Sequence, residues 1–398
     1  AQVPVFALQT VAADGSGDFL TIQEGLDAAA VGEEVHVIDG GTYAESLNIN
    51  GEILISDPVG ATIDAGGNNG AIVWGDTDAT IDGFTISNAI NGVHIDGSPT
   101  NVQIMNCTLN ATTGVNFGDG VSKVTITNCT INADAHGVLF NAGVGHTLNI
   151  DDCTIHATNE HGVTLYQPAT VIITDSYITN CGQCGIRTDN AGEPVITVTN
   201  TQILNNGSCI GLMRKGMYTF TDCLIDSNGG VTSDGNWQGG FFVDSAAAGA
   251  TVNITNTSIS NNVNHGFFAG RAITLNMAGC TINGNGGRGV WVDDFAGTTS
   301  DDQNTTVSDC LFSNNEGPGL TVAAKDSNAT AIVTDCIFNS NATLAATLEA
   351  NNSGSGKTVL VDVERNKFLD GSANNNTVLN INVAAPGSKV INNLFDQG

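Results

Sequence analysis

Positive charge is scarce in this sequence: 11 residues are Lys or Arg against 40 Asp or Glu, a formal net charge of −29. Nucleic acid and anionic membranes are gripped through clustered Lys and Arg, so neither is expected as a partner. A polyanionic sugar such as pectate or alginate is disfavoured by the same like-charge repulsion. No run of 18 apolar residues occurs, so no membrane insertion is expected. Pro is scarce, with 7 residues, and helix formers gather in one place only, Ile22 to Ala30. There Ile22, Leu26 and Ala29 share a face, which predicts one short amphipathic helix. The His residues (His36, His94, His136, His146, His156, His161 and His265) show no His-Glu-x-x-His or similar ligand spacing and read as turn and surface residues. The chain opens Ala1-Gln2-Val3-Pro4 without a Met. That is the form of a mature chain after signal-peptide removal, so a secreted, extracellular or cell-surface protein is expected.

What the sequence does have is Gly, 49 residues of it, and a repeat. A phrase of the form Thr-(Asn/Asp)-Cys-x-(Ile/Leu/Phe) recurs around Cys107, Cys129, Cys153, Cys223, Cys310 and Cys336. Where Cys is missing the frame persists, with Gly83, Ser176, Thr201, Thr257, Asn366 and Asn393 in the slot and Cys280 filling it after Gly279. A second phrase, Gly-(Val/Ile/Leu/Phe)-x-(apolar), lies between, as in Gly92-Val93-His94-Ile95, Gly137-Val138-Leu139-Phe140 and Gly289-Val290-Trp291-Val292. A period of roughly 20–50 residues marks a repeat architecture. Units carrying short strands that cannot bury their inner faces alone must stack, in register and about 4.8 Å apart. The expected fold is all-β: a single-stranded right-handed parallel β-helix of about 14 coils over 35–398, preceded by an N-terminal strand and capping helix over 1–34.

Near the N-terminus, Asp14-Gly15-Ser16-Gly17-Asp18, then Thr21-Ile22-Gln23, and later Gly41-Thr42-Tyr43-Ala44-Glu45 resemble the opening of pectin lyase-like superfamily proteins. The resemblance covers about the first 65 residues and implies a cap and first coil of a right-handed β-helix. It matches no specific enzyme family. The signatures of polygalacturonases, for example, are echoed only by Asp293-Asp294 and Asp301-Asp302. Fold alone leaves the chemistry open.

Most Cys fall on the ladder phrase and read as buried, reduced interior residues. Cys184 and Cys209 stand eight residues beyond Ser176 and Thr201, at equivalent positions near a turn that has room to bridge, and Cys181 completes one Cys-x-x-Cys, a weak metal or redox signal. Asp14, Ser16 and Asp18 alternate like the ligands of a Ca²⁺ loop but no closing Glu follows, so a tight turn is expected there, Ca²⁺ being the sole cofactor worth weighing. The outward position of the second phrase runs through Arg187 to Phe242, Phe268 and Trp291, with Arg271 and Trp237 nearby, and so predicts an exposed aromatic stripe for ligand or partner binding. Its alternative is a satellite core covered by the 229–239 loop. Asp244, Asp293 and Asp294 are the candidate catalytic carboxylates, with Asp244 and Asp293 expected about 5 Å apart at the backbone on neighbouring coils.

Two functional readings follow. The first is an extracellular structural or adhesive subunit that associates with itself or with a surface polysaccharide, through coil ends or the aromatic face. Its last ladder phrase, around Asn392 and Leu394, leaves strand edges for a second copy to meet, and Val3 to Val11 is apolar enough to cover such an edge. The second is a carbohydrate-active enzyme, a glycoside hydrolase on a neutral or weakly charged polysaccharide, or a glycan-binding module.

Overall fold

A computed structural model describes residues 8–56, 60–118, 120–141, 143, 145–189, 192–229, 239–244, 247–293, 302–324, 328–342, 346–350, 358–369, 379–382 and 385–396. Two compact units are present, Ala1–Cys181 and Gly182–Gly398. In the first unit, each coil adds short parallel strands to those of the coil before. Val102–Met105 pairs with Lys123–Thr127, bringing Val102 to Val124 and Ile104 to Ile126. Around the corner Leu109 meets Ile131, and further on Val115 meets Val138 and Phe117 meets Phe140. Alternation decides the faces: every second residue of these strands is buried and the intervening ones are not. Removing one such Val, Leu or Ile from water stabilises by about 1.5–3 kcal/mol, and the alignment repeats that gain at every coil.

The corner of each coil explains the Asn-Cys and Asp-Cys phrases. Asn106, Asn128 and Asp152 take positive φ of 52°, 50° and 51°, a region that Asn and Asp tolerate better than other non-glycine residues. Their side chains also link coils, with Asn128 Nδ2 donating to Asn106 Oδ1 at 2.7 Å and Asn106 Nδ2 to Asp82 Oδ1 at 2.7 Å. The slot that follows is polar in its demands. Each thiol donates to the carbonyl two residues back (Cys107 to Met105 at 3.0 Å, Cys129 to Thr127 at 3.2 Å, Cys153 to Asp151 at 3.1 Å). It also accepts from the slot amide of the preceding coil, as Cys129 Sγ does from Cys107 N at 3.4 Å. Ser176 does both with its hydroxyl, accepting from Cys153 N and donating to the Thr174 carbonyl. Small side chains that both donate and accept are therefore interchangeable here. Gly83 does not belong to the slot, as the spacing suggested: with φ 83° it holds the left-handed position, and Phe84 fills the interior, since Thr85 is the partner of Thr108.

The helix α1, Ile22–Ala28, lies where the apolar spacing predicts. Its buried residues are Ile22, Gly25 and Leu26, whereas Ala29 is the C-cap. A Cβ on Gly25 would come within 2.7 Å of Val11 and 3.0 Å of Val35, so glycine lets the helix approach the first strands. Thr21 and Glu24 form a capping box. Glu45 accepts from the amides of Ile22 and Gln23, both at 2.9 Å, occupying further donors of the helix start. Tyr43 donates to Asp39 at 2.5 Å and accepts from Ala13 N at 3.0 Å, fastening the first turn. Of the predicted N-terminal strand Val3 to Val11, residues 3–7 lie outside the described residues; Gln9–Val11 forms a strand paired with Glu34–Val37.

The second unit repeats the corner and adds a second polar ladder that the sequence reading did not anticipate. Asn206, Asn228, Asn262, Asn285, Asn315 and Asn341 are all buried. Each of the first five donates through Nδ2 to the Oδ1 of the next, at 2.8–3.1 Å. The left-handed residues before them include Asn205, Ser227, Asn261, Gly284, Asn314 and Ser340. At the end of the unit, Phe312, Phe338, Phe368 and Phe395 stack face to face with centroids 4.8–5.0 Å apart, the spacing the coil repeat imposes.

Candidate functional site

The register of the second unit stacks Arg187, Gly211, Phe242, Phe268, Trp291 and Thr321 in one column. That much follows the sequence pattern, but the stripe is not open to solvent: Phe242 is 7% and Phe268 6% exposed. Both pack with Cys184, Cys209 and Met213, and the partly buried Trp291 joins them. The expectation of an exposed aromatic face is corrected at both rings; residues 230–238 of the loop invoked by the alternative lie outside the described residues. Trp291 is itself engaged, with the Arg288 guanidinium over its ring 3.7 Å from the centroid and the Phe268 ring tilted against it at 4.8 Å. His265 meets the Trp291 edge at 5.0 Å and accepts the Arg288 amide through Nδ1 at 2.9 Å. Burial first and the Arg288 charge second push its pKa down to about 4, so the ring is neutral at pH 7.

Carboxylates follow the column two residues on. Asp189 pairs with Arg187 at 2.8 Å and lies 3.7 Å from Arg214. Val243 aligns with Ala269 and Ala269 with Val292, so Asp244 and Asp293 are not on adjacent coils: Gly270 stands between them. Their backbones are therefore about 9.6 Å apart, twice the strand spacing, rather than about 5 Å. Asp293 is buried and Asp244 half-buried. Arg271, beside Gly270, is half-buried. Trp237 and Asp294 lie outside the described residues.

At the Asp14-Ser16-Asp18 turn the carboxylates already have donors. Asp14 accepts from the amide and hydroxyl of Ser16 at 2.9 and 2.6 Å, and Asp18 from the amide and hydroxyl of Thr10 at 3.2 and 2.6 Å. These hydrogen bonds hold both carboxyls below the usual carboxylate range. Among the described residues no group of three or more His, Cys, Asp or Glu is arranged to hold a metal ion, and no helix is long and apolar enough to cross a membrane.

The first unit carries a shallow groove of about 590 Å³ that the sequence reading missed, because it arises where equivalent outward positions of successive coils align. Its lining includes Ser87, Ile90, Asn110, Thr112, Asn132 and Asp134. Asn132 Nδ2 donates to Asn110 Oδ1 at 2.9 Å, which orients the two amides in series. Ile90 is 53% exposed. Asp134 is the one charged side chain among the described lining residues.

Comparison with solved structures gives the catalytic unit of an α-1,3-glucanase from Streptomyces thermodiastaticus strain HF3-3 (TM-score 0.51, 15% identity, covering 93% of this chain and 64% of that one). Tailspike protein 3 of bacteriophage CBA120 aligns with TM-score 0.49 and 12% identity over 94% of this chain and 58% of the tailspike. The A-module of the Azotobacter vinelandii mannuronan C-5 epimerase AlgE4 aligns with TM-score 0.41 and 13% identity, covering 95% and 92%. This chain thus spans less than two thirds of the glucanase and of the tailspike, and the likeness is one of fold. No curated protein matches the sequence. A family model described as "Right handed beta helix region" matches residues 69–225, 119–302 and 235–395. The chain belongs to that family, an all-β parallel solenoid of about 14 turns.

Proposed function

We propose that this protein is an extracellular adhesive β-helix that holds a neutral polysaccharide in the groove of its first unit. The observation that carries this reading is the lining: amides and hydroxyls from successive coils, one exposed Ile and a single carboxylate. Amides repeated about every 4.8 Å offer donors and acceptors in line to a chain lying across the coils, and Ile90 supplies an apolar contact. Uronate polymers are disfavoured, because none of the described lining residues is basic and the chain carries −29. Most glycoside hydrolases use a pair of carboxyl groups, and Asp134 is the one carboxylate among the described lining residues, which supports binding over cleavage.

A second reading, a glycoside hydrolase, is supported by Asp244 and Asp293, two carboxylates on one face with only Gly270 between them. A backbone separation of about 9.6 Å lets the side chains approach the roughly 6.5–9.5 Å at which an inverting pair admits a water.

Affinity electrophoresis in gels containing neutral glucan or xylan, against polygalacturonate, tests the first reading. Retardation by a neutral polymer, lost at least tenfold in the Asn110→Ala/Asn132→Ala variant with unchanged circular dichroism, is expected. Equal retardation by polygalacturonate, or none by any neutral polymer, overturns it. Sugar release that disappears in Asp293→Asn but survives in Asp134→Asn would establish the second.

A further inference from the structure

Cys184 and Cys209 differ from the ladder cysteines in where they lie. The ladder thiols point into the coil and donate to their own backbone carbonyls, as Cys223 does to Thr221 at 3.2 Å and Cys310 to Ser308 at 3.1 Å. Cys184 and Cys209, both buried thiols, instead belong to the satellite cluster of Met213, Phe242 and Phe268. Their register also differs from the sequence expectation. Arg187 aligns with Gly211, and Ser208 N donates to the Gln183 carbonyl at 3.0 Å, which places Cys209 opposite Gly185 and diagonal to Cys184. A diagonal step combines about 4.8 Å between strands with about 3.3 Å along one, a Cα separation of about 5.8 Å. This is the most frequent Cα separation in disulfides, and a directly opposed pair would be shorter. Gly211 leaves the space the bridge needs: Cys184 Sγ lies 3.4 Å from where a Gly211 Cβ would stand, leaning over the coil that carries Cys209.

We propose that Cys184 and Cys209 form a disulfide when the chain folds in an oxidising compartment, fastening two consecutive coils beneath the aromatic cluster. The two thiols lose two electrons and two protons to a disulfide oxidant, such as oxidised glutathione, which leaves as two reduced thiols, and one S–S bond forms. The burial of both sulfurs places this step during folding, before Phe242 and Phe268 close over them. Burial first and the neighbouring Cys184 thiol second raise the pKa of Cys209, so the folded thiol form is a poor nucleophile.

The test is to refold the full chain with oxidised and reduced glutathione, denature it, alkylate with iodoacetamide and weigh it. Of the 10 cysteines, eight are expected to take up label, with a cross-linked peptide joining Cys184 to Cys209. Dithiothreitol should lower the thermal midpoint of the wild type by several degrees and leave that of Cys184→Ser unchanged. Ten labelled cysteines, or a bridge between Cys181 and Cys184, overturn the proposal. If Cys184→Ser fails to fold, the peptide map of the wild type decides alone.

Discussion

Replacing Asn262 with Ala should open the second unit locally. Asn262 Oδ1 accepts from Asn228 N at 3.0 Å and from Asn228 Nδ2 at 3.1 Å, while its own Nδ2 donates to Asn285 Oδ1 at 2.9 Å and the Ile225 carbonyl at 3.2 Å. Truncation leaves the buried Asn228 amide without its acceptor, at about 1–3 kcal/mol, and removes two side-chain links at about 0.5–1.5 kcal/mol each. The sum centres near 4 kcal/mol, or about a thousandfold in an opening equilibrium. Solenoid coils open semi-independently, so the effect is greatest at the coils that carry the lost links. Hydrogen exchange read at the amides of Asn228, Asn262 and Asn285 reports it directly and should accelerate about a thousandfold. Asn261→Gly is the control, because it keeps the ladder and the positive φ of 53° at that corner. Acceleration of less than about tenfold in Asn262→Ala would mean that water or a neighbouring carbonyl replaces the lost amide, and the ladder would not be a structural necessity.

Three further outcomes are expected. Cys107, Cys129 and Cys153 should resist thiol reagents in the native protein and react in denaturant; rapid native labelling would remove them from the interior. Val138→Asp puts a charge without a partner at a fully buried position and should cost several kcal/mol, so an unchanged thermal midpoint would place the strand faces the other way round. His265, neutral when folded down to about pH 4, binds its proton in the unfolded chain from about pH 6.5. Between those values the unfolded state holds more protons, so stability falls as pH falls; thermal midpoints measured from pH 7 to 4 should drop less steeply in His265→Gln than in the wild type, and parallel slopes would refute the assignment.

The coil repeat, the capping helix and the buried cysteine ladder were legible in the sequence because strand alternation has a period of two and the phrases repeat in phase. The errors have a common cause: one coil does not reveal its neighbours. Asp244 and Asp293 looked adjacent because the intervening coil contributes Gly270, which carries no side chain to mark the position. Phe242 and Phe268 were placed on the outer surface of the coil correctly, but alternation does not tell whether a second layer covers that surface. The asparagine ladder was hidden because Asn after Asn or Ser is also common turn chemistry, and only the inward turn of Asn206, Asn228 and their successors distinguishes the two. Gly83 was placed one residue off for the same reason, since Gly there supplies a backbone angle and Phe84 fills the space.

The amides from Asn206 to Asn341 all point the same way, each giving through nitrogen to the next and taking through oxygen from the one before. Every junction between these coils is therefore the same joint. A gene that gained or lost one whole coil would still present a donor to an acceptor at the splice, with nothing to redesign. A gain of half a coil would bring unlike groups together and bury them without partners. Gain or loss of a whole coil is thus a change that this hydrogen bonding tolerates.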